Sequence, residues 1–157
     1  MGESLLRIAL LGLAAVGMAA CAQKIPMNLD AFERRASDGT AAIYWNCKPA
    51  DRQVLLIEGA VNNPYQPAPI GDVEVSVFGI NAQGQEVSRG KGTTADYQIY
   101  PMVPSPFRVE VRLAGGEQQF DLRYQYRGVG GGGRSMGGAQ SAQVGNLIRD
   151  ACGSVRR

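Results

Sequence analysis

Histidine is absent from all 157 residues. Its absence removes the commonest general base, the commonest metal ligand and every Ser-His or Cys-His nucleophile arrangement. A predominance of either charge sign is missing too. The chain has 16 basic and 14 acidic side chains, a net charge of +2 and no single-sign block. That balance leaves no electrostatic footprint for nucleic acid, so no nucleic-acid partner is expected. The three cysteines include no CxxC pair, which speaks against a zinc or dithiol redox centre. Neither a metal nor a cofactor is expected. No serine or threonine sits in a nucleophile-elbow context. Glu58 and Glu74 fall at outward strand positions, a spacing that suits a solvated face rather than a convergent acid pair. The chain therefore reads as non-enzymatic. Its hydrophobic content of 45% supports one modest domain.

Long apolar runs are also lacking. The longest, Ile8 to Ala20, falls short of the roughly 20 residues needed to span a bilayer. It fits the core of a secretory signal, preceded by Arg7 and ending in small residues. The tetrapeptide Met18-Ala19-Ala20-Cys21 resembles the lipobox of bacterial lipoproteins. That resemblance implies removal of residues 1–20 and acylation of Cys21 with palmitate-type chains. It also implies that the membrane, reached through a lipid anchor, is a partner. Ala22 in place of Asp after the cysteine resembles the sorting signal for the outer membrane, with the domain facing the periplasm. The competing readings are an ordinary secretory signal cut after Ala20 and, behind it, a retained signal anchor. Setting Cys21 aside leaves Cys47 and Cys152, an even pair in an oxidising compartment. A disulfide between them is expected, two separate buried thiols being the other reading.

Residues 21–40 are mixed and polar and read as a tether, in which Asn28 is placed to cap a short helix carrying Leu29, Phe32 and Ala36. From Ala41 the period changes to two. "AAIYWNC", "QVLLIEGAVN", "DVEVSVFGI", "GQEVSRGKG", "PFRVEVRL" and "EQQFDLRYQY" alternate apolar and polar residues as half-buried strands do. Ala82-Gln83-Gly84 and Gly115-Gly116 read as hairpin turns. The expected fold class is all-β, an antiparallel sandwich over residues 41–126. Residues 53–126 resemble the immunoglobulin-like FxLYD-type domains of bacterial envelope proteins. The shared pattern is Gly-x-Val-x-Asn from Gly59 to Asn63, then "VEVSVFGINAQGQEV", then "FRVEVRL". The resemblance implies an immunoglobulin-like sandwich and no catalytic motif.

Residues 127–140 are glycine-rich and read as a linker; their GxGxxG match lacks the strand-to-helix setting of a dinucleotide site. Beyond them, Val144, Leu147, Ile148, Ala151 and Cys152 fall at i, i+3, i+4, i+7 and i+8. That spacing predicts a short C-terminal helix over 141–153, docked on the sandwich through Cys152, with 154–157 as a tail. If successive strands reverse, loops 62–70 and 94–106 meet at one end of the sandwich. They carry Tyr65, Tyr97 and Tyr100 among six prolines. Preordered loops bearing tyrosine suit recognition, and another envelope protein is the partner expected there. The other expectations are a structural envelope lipoprotein with no specific partner, or binding of a small ligand or glycan.

Overall fold

A computed structural model describes residues 26–65, 67–128 and 143–153. Among the described residues nine strands follow one another: β1 (Arg34–Ser37), β2 (Ala42–Pro49), β3 (Val54–Asn62), β4 (Ile70–Asn81), β5 (Glu86–Thr93), β6 (Gln98–Ile99), β7 (Ser105–Arg112), β8 (Glu117–Gly128) and β9 (Gln143–Ile148). They form two sheets. The first has the order β1-β2-β3-β7; the second has the order β5-β4-β8-β9, with β6 also pairing β4. All strand pairs are antiparallel. The expected antiparallel sandwich is the architecture found.

The two-residue period explains the layering. Leu55, Ile57 and Val61 of β3, Val73, Val75 and Val77 of β4, Phe107, Val109 and Val111 of β7, and Phe120, Leu122, Tyr124 and Tyr126 of β8 are all buried between the sheets. Each such aliphatic or aromatic side chain contributes about 1.5–3 kcal/mol by leaving water. Gly59, in line between Trp45 and Phe107, leaves room for the Phe107 ring. A Cβ there would lie 2.5 Å from Phe107 Cζ. The β4–β5 hairpin turns as expected, with Gly84 at φ +76°.

Four expectations need correction. The C-terminal helix is absent: residues 143–148 form β9, paired with Leu122–Arg127 of β8, and turns follow it. The helical spacing was real, but Gly145 weakens a helix by about 1 kcal/mol, and β8 offers a full row of backbone partners. Cys152 nonetheless docks on the sandwich, bonded to Cys47 with Cα atoms 5.6 Å apart. The 21–40 segment is not all tether, since Arg34–Ser37 pair with β2 in register Arg34↔Trp45 to Ser37↔Ala42. Asn28 does cap, but only a single 3-10 turn, Leu29–Ala31, accepting from the Asp30 N–H at 3.0 Å. Finally, Gly115-Gly116 makes no hairpin. Both glycines have positive φ, but the chain there crosses from β7 in the first sheet to β8 in the second. The 127–140 linker reading falls almost wholly outside the described residues.

The flank between β1 and β9 is closed by polar contacts as well as the disulfide. Trp45 Nε1 donates to the Ala151 carbonyl at 2.8 Å, and Arg34 Nη2 to the Cys152 carbonyl at 2.6 Å. Tyr126 donates its hydroxyl to Asp38 Oδ2 at 2.9 Å. Burial, with the Asp38 carboxylate also contributing, pushes the Tyr126 phenol up to about 12. Tyr124 is raised further, by burial first and then by the Asp38 charge. The unfolded chain releases these protons near pH 10 while the folded chain holds them, so stability is complete below about pH 10 and is lost as pH rises toward 12. Denaturant melts taken across that range should lose about 2–3 kcal/mol for Tyr126 alone. A flat profile through pH 12 would contradict the buried placement of these phenols.

Candidate interaction surface

Both predicted loops gather at one end of the sandwich, where β3 and β5 end and β4 and β7 begin. Their meeting point is Asn63, fully buried. Its carboxamide donates to the Ala68 carbonyl at 2.8 Å and the Ile99 carbonyl at 3.4 Å. Its own carbonyl accepts from the Met102 N–H at 3.2 Å, and it forms a bridge with Pro101. One side chain thus ties loop 62–70 to loop 94–106. Buried polar groups are stable only when paired, so this site fixes the loops against each other.

A second lock sits in the longer loop. Ser105, also fully buried, donates its hydroxyl to Asp96 Oδ2 at 2.6 Å and accepts from the Asp96 N–H at 2.9 Å. Thr94 Oγ1 donates to the Asp96 carbonyl at 2.9 Å. Between these locks, β6 pairs Ile99 with Ile70 and Gln98 with Gly71. Ile99 and Ile70 are both buried and pin the loop to the core. The turn after β6 returns through Met102 at φ +61°, closed by the Val103 N–H on the Tyr100 carbonyl.

What this frame holds outward is apolar. Tyr65, Tyr97 and Tyr100 are 62%, 72% and 56% exposed, and Met102 beside them is 70% exposed. Val103 is exposed as well. The Tyr97 phenol is held above its ordinary value by hydrogen bonding to the Asp72 carboxylate and by that group's charge. Asp72 in turn pairs with Arg127 at 3.0 Å. The three tyrosines singled out from sequence therefore stand in solvent on an ordered frame. Met102, Val103 and the two buried anchors Asn63 and Ser105 were not singled out. Only the density of Pro and Tyr in these loops hinted at them.

The remaining candidates lie elsewhere. Glu58 pairs with Arg108 at 3.6 Å and Lys48 at 3.8 Å on the first sheet, while Glu74 pairs with Lys91 at 2.6 Å on the second. The two carboxylates belong to different sheets and do not converge. Among the described residues no cluster of three or more His, Cys, Asp or Glu could hold a metal ion. None of the described helices is long and apolar enough to cross a membrane. A groove of about 520 Å³ lies over the outer face of the first sheet, between Met27 and Phe32 on one side and Pro106 and Arg108 on the other. Its charged pair, Glu58 and Arg108, is already mutually satisfied. Cys21 lies outside the described residues.

Two solved structures align along most of the chain. One is the GAE domain of GGA2p from Saccharomyces cerevisiae, at 10% identity and a TM-score of 0.47, covering 78% of this chain and 99% of that one. The other is a yeast GGA1 GAE domain, at 10% identity and a TM-score of 0.45, covering 73% and 93% respectively. No model of a protein family matches the chain, and no curated protein does.

Proposed function

We propose that this chain is a lipid-anchored envelope protein, of FxLYD-like immunoglobulin type, whose sandwich end binds another protein without catalysis. The observation that carries the binding half is the group of exposed tyrosines and Met102 held on buried Asn63 and Ser105. Exposed apolar surface that is held rigid costs little further ordering when a partner covers it. Tyrosine supplies broad contact with a single polar tip and few rotatable bonds. The anchoring half rests on the lipobox-like Met18-Ala19-Ala20-Cys21 and its short apolar lead.

The binding half is tested with the double variant Tyr97→Ala, Tyr100→Ala. Both rings are largely in solvent, so the melting temperature should stay within a few degrees of wild type. Chemical cross-linking in the native host should then lose its partner adduct by about tenfold or more, as expected for truncated aromatic hot spots. An unchanged adduct from a folded double variant would end this reading. A purely structural role with no specific partner would give no adduct from either protein.

A further inference from the structure

Among the described residues, three other than glycine have a positive φ: Asp72 at +49°, Met102 at +61° and Asp150 at +49°. Aspartate enters this left-handed region with some ease, because its short polar side chain can bond the local backbone. Methionine has no such compensation, and its Cβ crowds the following carbonyl. A conformation of this kind persists only where the surroundings over-determine it. At Met102 they do so through the backbone. The Met102 N–H donates to the Asn63 carbonyl at 3.2 Å, and the Val103 N–H donates to the Tyr100 carbonyl at 3.2 Å. Asn63 is fully buried, so the strained turn hangs from the core.

The side chain leaves that turn for solvent. Met102 is 70% exposed, with exposed Tyr97, Tyr100 and Val103 in the same loop. Met27, by contrast, is half-buried and lines the groove over the first sheet. A position that would suit glycine thus carries a long apolar thioether, held outward beside the tyrosines. Backbone strain of this sort gathers at functional sites.

We propose that the Met102 thioether is an oxidation site that controls binding at the tyrosine end, the oxidant being a peroxide. The Sδ lone pair attacks one peroxide oxygen, an S–O bond forms and the O–O bond breaks. The second oxygen leaves as water with both peroxide hydrogens. Sulfur gives up two electrons and the peroxide takes the same two. The product, methionine sulfoxide, is polar and chiral where the thioether was apolar and pliant. A sulfoxide oxygen covered by an apolar contact loses its water without gaining a partner, which weakens binding about tenfold or more. This control rests on the proposed binding role of the tyrosine end.

Hydrogen peroxide, applied in graded dose to the purified full chain and then removed, tests it. Peptide mass mapping should find the added oxygen on Met102 about tenfold sooner than on Met27, because exposure governs access. The melting temperature should stay within a few degrees, since the side chain stands in solvent. Returned to an envelope extract of the native host and cross-linked, the oxidised chain should form the partner adduct about tenfold less than the untreated chain. Met102→Leu, apolar but without sulfur, should form the adduct both before and after peroxide. Met102→Gln, polar and unbranched, should lack it without any peroxide, which gives a second reading if the leucine variant folds poorly. A full adduct from chain carrying the sulfoxide at Met102 would overturn the proposal. Loss of the adduct from peroxide-treated Met102→Leu, or oxidation of Met27 ahead of Met102, would do the same. An untreated chain that forms no adduct, with Met102 still the first to oxidise, would instead end the binding role itself and the control with it.

Discussion

Reducing the Cys47–Cys152 bond should lower the stability of the sandwich by about 4–5 kcal/mol, the chain-entropy value for a loop near 100 residues. The bridge spans 105 positions in sequence, so it constrains most of the folded chain. It also joins the two sheets, because Cys47 lies in β2 of the first and Cys152 follows β9 of the second. Residues attached through it do further work. Ala151 N–H donates to the Phe120 carbonyl at 2.6 Å, and the Ala151 carbonyl accepts from the Trp45 indole. Without the bridge, local opening of 149–153 would expose Ala151 and leave the nearly buried Trp45 N–H without its acceptor, at a cost of about 1–3 kcal/mol. At about 2–4 °C per kcal/mol for 150–250 residues and 4–8 °C for 60–100, a fold running from Arg34 to Gly153 should lose at least ~10 °C in melting temperature. Thermal melts with and without reductant, repeated on the Cys47→Ser, Cys152→Ser double variant, check this. A shift of only a few degrees would mean that the core holds the two sheets together without the staple.

Replacing Cys21 by serine should move the protein from the membrane fraction to the soluble one. The proposed anchor works by burial of acyl methylenes, each contributing about 0.8 kcal/mol, and one chain alone holds a protein only marginally. Several chains on one cysteine are therefore needed, and serine at that position would carry none of them. Cys21 takes no part in the Cys47–Cys152 bond, so the thermal melt of the variant should match wild type. Metabolic labelling with a palmitate analogue should disappear in parallel. Retention of Cys21→Ser at the membrane would contradict the anchor and return the N-terminal segment to an ordinary secretory reading.

Strand by strand, what sequence made legible was what a single strand encodes. Val73, Val75 and Val77 alternate with polar residues because one face of β4 is buried, and that signal needs no knowledge of a partner. Failures came where the partner decides. The stripe Val144, Leu147, Ile148 satisfies a helical period and also supplies a usable edge strand; the unpaired backbone of β8 chose between them. Arg34 and Arg35 disguise β1 as tether, although Arg34 turns its guanidinium onto the Cys152 carbonyl, 118 residues away. Gly115 and Gly116 read as turn residues, but no local feature tells whether the strands they join share a sheet. At the candidate site the tyrosines were visible in their loops. The fixing roles of Asn63 and Ser105 were not, since each depends on contacts with backbone or side chains that only the fold brings near.

The tyrosine-bearing end is the proposed working face of this sandwich. Photo-cross-linking in the native host, with the photoreactive residue placed in turn at Tyr65, Tyr97, Tyr100 and, on the outer face of the first sheet, Glu110, tests it directly. Adducts to one and the same protein are expected from the three loop positions and none from Glu110. Adducts from Glu110 alone, or an equal scatter of products from all four positions, would contradict it.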